Sequence, residues 1–201
     1  MGKSPFAYVM EGGYKKLKNP SGLRRSIHRT FFEDDLLYFC RGFKNCYTQY
    51  VSLEALFASA NDVWEGISLF RETMAAGNSL SGNRAAKQAV YSKHIANPEA
   101  ASACKRINLA LRWLVRREGP VDLGLWKSIS PASLFIPLDL HVGRAARQLG
   151  LLESGRKAND KKAVISLTEK LKEFCPEDPV KYDFALFGYG QRELSQKHDN
   201  A

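Results

Sequence analysis

The stretch Ile136-Pro137-Leu138-Asp139-Leu140-His141-Val142-Gly143-Arg144 sets one carboxylate between an apolar, proline-containing run and the start of a helix. Val142, Ala145, Ala146 and Leu149 recur at the spacing of a single helical face, so the helix opens at or just after Asp139. An acid at N-cap or N1 accepts from unpaired backbone N–H groups and meets the positive end of the helix dipole. An ordinary N-cap satisfies that description. A functional carboxylate leaving an apolar surround satisfies it too, and the choice depends on what lies upstream.

Working outward, helical patterns account for almost the whole chain. Leu36, Leu37, Cys40, Phe43 and Tyr47 form one stripe; Ser52 caps a short helix, and Asn61 or Asp62 caps the next, which holds Val63, Ile67, Phe70 and Met74. Gly77–Gly82 reads as a loop and 84–95 as a helix. Asn97-Pro98-Glu99 is a start signal for a long helix reaching about Arg117, ended by Gly119-Pro120. A short helix over 121–127, a turn at Ser130-Pro131, the Asp139 helix stopping at Gly150, a helix over 160–174 and one over 178–190 complete the reading. Residues 1–30 form an irregular lead-in with a short helix near Pro5–Met10, and 195–201 a frayed tail. No repeat and no strand period is found. The expectation is one all-α domain over 1–201, a bundle of eight to ten helices.

Composition narrows the class. Hydrophobic residues at 44% and charged residues at 25% suit a soluble globular chain. No apolar run approaches the roughly 18 residues that span a bilayer, and Met1-Gly2-Lys3-Ser4-Pro5 is no signal segment. A cytoplasmic protein that engages no membrane is expected. Cys40, Cys46, Cys104 and Cys175 lack the spacing of a zinc site or an iron–sulfur cluster and read as reduced thiols. The formal charge of +9 suits a polyanionic partner.

The helix upstream of Asp139 carries the other candidate group. In Ser102–Arg116, Ile107, Ala110, Leu111 and Leu114 form the buried side, and Lys105, Leu109, Arg112 and Arg116 fall opposite. A solvated basic stripe is the plain reading of that face. The functional one has Lys105 facing a pocket while the arginines meet phosphates. With Ser102 as N-cap, Lys105 sits in the first turn, where the helix dipole opposes a cationic ammonium and suits an amine that acts as a nucleophile.

The runs Ser102-Ala103-Cys104-Lys105-Arg106-Ile107-Asn108, Leu111-Arg112-Trp113-Leu114-Val115-Arg116, Gly119-Pro120-Val121-Asp122-Leu123-Gly124-Leu125-Trp126-Lys127, Ile136 to Arg144, and Asp178-Pro179-Val180-Lys181-Tyr182-Asp183-Phe184-Ala185-Leu186-Phe187-Gly188 resemble a bacterial family without an assigned function. So does His28-Arg29-Thr30-Phe31 with Tyr38-Phe39. The resemblance covers nearly the whole chain, which looks shortened at its N-terminus beside the family. That family in turn resembles the helix–hairpin–helix DNA glycosylases, and within them the archaeal 8-oxoguanine branch. Asp139, His141, Val142 and Arg144 match the segment that opens the catalytic helix there. Lys105, thirty-four residues upstream, is the counterpart of the lysine, and Lys127, twelve upstream, the alternative. The usual Leu-Pro-Gly-x-Gly hairpin is absent, and Ile95-Ala96-Asn97-Pro98 stands in its place.

The resemblance implies a helix–hairpin–helix glycosylase-like bundle and a base-excision DNA repair enzyme with lyase activity on an oxidised purine. Lys105 would be the nucleophile and Asp139 its electrostatic and proton-handling partner. Trp113, Trp126 and His141 would meet the flipped base, with core packing as the plain reading of either tryptophan. Arg112, Arg116, Arg144 and Arg147 would meet DNA phosphates. The implied partner is duplex DNA with a damaged base, bound by a nucleoid-associated monomer that needs no metal or organic cofactor. A non-catalytic basic helical module for DNA or RNA, an inactive shortened family member, and a structural domain whose charge serves solubility are the competing readings.

Overall fold

The computed structural model describes residues 4–17, 26–79, 90–155 and 158–199, with side chains through Arg192. They are mostly helical: α1 Pro5–Met10, α2 Glu33–Tyr50, α3 Leu53–Ala58, α4 Val63–Ala76, α5 Lys105–Val115, α6 Leu140–Gln148, α7 Lys161–Lys172 and α8 Asp183–Asp199. Against the expectation of no strand, Ser26–His28 (β1) pairs antiparallel with Phe31–Phe32 (β2). A ladder of three and two residues is too short to leave an alternating pattern.

Two compact units are formed, one from Met1–Ala60 and Ser68–Ile95, the other from Asn61–Ile67 and Ala96–Ala201. In the first, Val9, Tyr14 and Cys40 are buried with Tyr8, Leu36, Leu37 and Phe43 packed around them. Gly42 lets Met74 against α2, since a Cβ there would lie 2.6 Å from the Met74 sulfur. The α2 start is closed by Asp35, whose carboxylate accepts from the Phe32 N–H at 2.8 Å and meets His94 Nε2 at 3.2 Å. Cys40 and Cys46 are buried free thiols, and burial pushes Cys46 up to about 12.

The second unit holds α5 to α8. The carboxylate of Asp160 caps α7 through Ala163 N–H, and the buried Thr168 hydroxyl accepts from Ile136 N–H at 3.1 Å. Ile136, Leu138, Val142, Val164, Leu167 and Leu171 are each at most 2% exposed, so the apolar run before Asp139 is core.

Four expected elements differ. The long helix 98–117 is a 3-10 turn at Pro98–Ala100, capped by Asn97, followed by the shorter α5. Ala101 and Cys104 take positive φ (57° and 46°) between them, which interrupts the helical hydrogen bonding. No helix covers 121–127; that segment is pinned to the end of α5 by Leu123 N–H on Trp113 O (2.6 Å) and Trp126 N–H on Leu114 O (2.8 Å). It thereby satisfies carbonyls that the helix terminus leaves open. Of the helix expected over 84–95, residues 84–89 lie outside the described part and 90–95 are not helical. The last helix starts at Asp183 after a 3-10 turn at Pro179–Tyr182 and continues to Asp199, beyond the expected fraying point. Residues after Gly190 contain neither proline nor glycine to stop it.

Candidate functional site

Asp139 is held by hydrogen bonds to its side chain and to its backbone. It is the N-cap of α6, with Oδ1 accepting from Val142 N–H at 2.8 Å. Its backbone carbonyl accepts from Asn159 Nδ2 at 2.8 Å, and Asn159 Oδ1 in turn accepts from Arg147. Gly143 allows this brace, because a Cβ there would lie 2.5 Å from Asn159 Oδ1. One turn on, α8 comes so close that a Cβ on Gly190 would overlap the His141 carbonyl oxygen. Asp139 Oδ2 is left for a second partner, with the side chain 11% exposed.

That partner is Lys105. Its Nζ lies 3.1 Å from Asp139 Oδ2 across 34 residues of sequence. Lys105 is the first residue of α5, and Cys104, not Ser102, is the N-cap; the Ser102 hydroxyl accepts from Cys104 N–H instead. The residue therefore stands in the first turn of α5, at its positive pole. The lysine side chain is 48% exposed, so the pair opens to solvent on one side.

The same helix carries the largest departure from expectation. Arg112 and Arg116 are 2% and 5% exposed and lie on no solvent-facing stripe. Arg112 Nη1 meets Asp122 Oδ1 at 3.1 Å, while its Nε donates to Val180 O at 3.4 Å and lies 3.7 Å from Asp183 Oδ2. Arg116 binds Asp178 with Nε at 2.9 Å and Nη2 at 2.7 Å, and its Nη1 reaches Asp122 Oδ2. Burial pushes Arg112 below its ordinary value against the pull of Asp122 and Asp183. At Arg116 burial acts the same way, but the bonds to Asp178 outweigh it and raise the group. Both guanidiniums are committed to internal carboxylates, which removes them from the expected phosphate contacts. Helical periodicity pointed the other way because the compensating acids come from distant segments.

Asp183, the first residue of α8, was not singled out from sequence, although it lies within a motif quoted above. It is 4% exposed. Burial pushes its carboxyl up to about 6; Asp139 and Asp122 add to the rise, while Arg112 and Lys105 oppose it. Its carboxylate lies 3.7 Å from Arg112 Nε, which makes it part of the arginine cluster.

The other expected residues are dispersed. His141, half-buried, packs edge-on to Phe187 with ring centroids 5.2 Å apart. Arg147 holds Gly143 O, Ala158 O and Asn159 Oδ1, which makes it a brace for the Asp139 loop. Arg144 is half-buried, with Nη1 enclosed. Trp113 is 39% exposed on α5. Trp126 and Lys127 line a cavity of about 370 Å³ with Val115, Arg116, Arg117 and Asp178. That cavity is at the C-terminal end of α5, about 15 Å along its axis from Lys105 at 1.5 Å per residue. The Lys127 amine donates to Gly124 O. The aromatic ring beside Asp183 is Phe184, 47% exposed, with the Arg112 guanidinium 4.0 Å from its centroid.

Among the described residues, no helix is long and apolar enough to cross a membrane. No curated protein and no solved structure matches the chain. The model of a family described as a protein of unknown function (DUF2400) matches residues 1–192. With that match running almost from end to end, the chain belongs to the DUF2400 family.

Proposed function

We propose that the second unit is a helix–hairpin–helix glycosylase-like domain that excises an oxidised purine, such as 8-oxoguanine, from duplex DNA and then nicks the strand. One observation carries the reading: an amine at a helix start and a capping carboxylate, 34 residues apart, meet at 3.1 Å with the amine half-exposed. Lys105 gives its ammonium proton to Asp139, and the neutral amine attacks C1′ of the damaged nucleotide. The C1′–N bond breaks, and the base leaves with the bonding electrons and takes up a proton. The attached nitrogen then gives one proton to O4′ as the C1′–O4′ bond breaks, which leaves a protonated Schiff base; loss of the C2′ proton to a base expels the 3′ phosphate, which departs with the electrons of the C3′–O bond. With its proton passed to the departing base, Asp139 is a carboxylate again and stabilises the positive charge on the sugar adduct. The net charge of +9 favours duplex DNA in the cytoplasm as the partner.

The test is borohydride trapping on duplex DNA containing 8-oxoguanine, with an abasic duplex in parallel. Wild type is run beside Lys105→Gln, Lys127→Gln and Asp139→Asn. An adduct lost in Lys105→Gln and retained in Lys127→Gln is expected. DNA binding without an adduct on either duplex would overturn the enzyme reading in favour of a binding module.

A further inference from the structure

Lys105 and Asp139 meet as an ion pair open to solvent, and such a pair holds its partners only weakly. The backbones that carry its two ends are instead tied to one four-residue run, Ala158-Asn159-Asp160-Lys161. On the acid side, Asn159 Nδ2 donates to the Asp139 carbonyl at 2.8 Å, and Arg147 from α6 donates to Asn159 Oδ1 at 2.9 Å and to Ala158 O at 3.0 Å. On the amine side, Lys161 N–H donates to Ala101 O at 2.8 Å, and Asp160 pairs with Ser102 in a single antiparallel bridge. From Ser102 the hold passes to the first turn of α5. The Ser102 hydroxyl accepts from Cys104 N–H at 3.2 Å, and Asn108, 1% exposed, donates to Ala103 O at 3.0 Å. These bonds pin the left-handed residues Ala101 and Cys104 that lead into Lys105. The run is itself anchored, since Asp160 caps α7 through Ala163 N–H at 2.9 Å and α7 buries Val164, Leu167 and Leu171. Capping explains Asp160 alone; Asn159 turns its amide back to the start of α6.

We propose that residues 158–161 are a strut that sets the separation of the Lys105 amine from the Asp139 carboxylate, with Asn159 as its positioning residue. Without the Asn159 amide, the Asp139 carbonyl loses its donor from the strut, while the Oδ1 bond to Val142 N–H keeps the carboxylate as the cap of α6. The start of α6 then shifts against the start of α5, and the pair opens. A misplacement of that kind slows the reaction and leaves substrate affinity alone. Its bearing on base excision rests on the function proposed above; the strut itself does not.

Two measurements test it, the first without DNA, so a negative trapping experiment leaves it readable. In protein labelled with nitrogen-15 and carbon-13, the coupling across the hydrogen bond between Lys105 Nζ and the Asp139 carboxyl carbon is read by NMR in wild type, Asn159→Ala and Gly143→Ala. The second variant keeps Asn159 but crowds it, because a Cβ on Gly143 would lie 2.5 Å from Asn159 Oδ1. The coupling is expected in wild type and lost in both variants, with the amide signals of Val164 and Leu167 kept as the sign of an intact α7. A coupling absent from wild type, or retained in either folded variant, overturns the proposal. In the second measurement, single-turnover trapping on the abasic duplex should slow on the order of tenfold or more in Asn159→Ala, with duplex affinity unchanged. A rate equal to that of an active wild type overturns it too. If wild type forms no adduct, the first measurement decides alone, and if one variant fails to fold, the other decides.

Discussion

Helix α5 presents its cations in two settings. At its start, Lys105 pairs with one carboxylate and is 48% exposed; two turns on, Arg112 is 2% exposed among several acids. The first setting is cheap to disturb and free to react, because an exposed ion pair contributes about 0–1 kcal/mol. The second holds together α5, the segment after it and the start of α8, and the Arg112 guanidinium cannot leave without taking the cation from Asp183. One helix therefore separates a group available for chemistry from groups that fix the architecture around it.

Removing each cation should separate the two roles. Lys105→Gln should abolish trapping altogether while changing the urea midpoint by less than about 1 kcal/mol in free energy. A large loss of stability in that variant would make the pair structural and break the comparison. Arg112→Leu should cost about 3–5 kcal/mol, read from urea unfolding, because Asp183 loses its buried cation and Asp122 keeps only Arg116. Gly190→Ala should cost about 1–3 kcal/mol by driving α8 off the His141 carbonyl, and the thermal midpoint should fall with it.

A pH dependence is expected as well, and its sign is opposite for two acids. The folded value of Asp183 lies near 6, above the ordinary 3.8, so the folded state binds its proton more tightly. Its contribution is present at acid pH and is lost as pH rises from about 4 to 6. Asp35 is the reverse. Burial raises it, but the Phe32 N–H and His94 outweigh that and lower it. Its contribution is present above 3.8 and is lost as pH falls through the lowered folded value. Urea midpoints against pH for wild type, Asp183→Asn and Asp35→Asn should show the two trends removed one at a time.

Much of the helical layout was legible because caps and stripes are local. Ser52, Asn97 and Asp139 each cap an element where the pattern placed one. The start of α5 was not legible, since Ala101 and Cys104 adopt a left-handed backbone without the glycine that would announce it. Nor was the fate of Arg112 and Arg116. A helical period assigns a cation to the polar face, and only the folded chain brings Asp122, Asp178 and Asp183 to it. The meeting of Lys105 with Asp139 was anticipated through a resemblance, not through periodicity.

The 34-residue separation of Lys105 from Asp139 has a consequence during synthesis. On the ribosome the amine emerges well before Asp139, its partner. A nascent or cleaved chain therefore displays Lys105 as an ordinary surface lysine. The pair arises only when the start of α6 folds against the start of α5, so the setting of Lys105 is made by residues that leave the ribosome after its own helix.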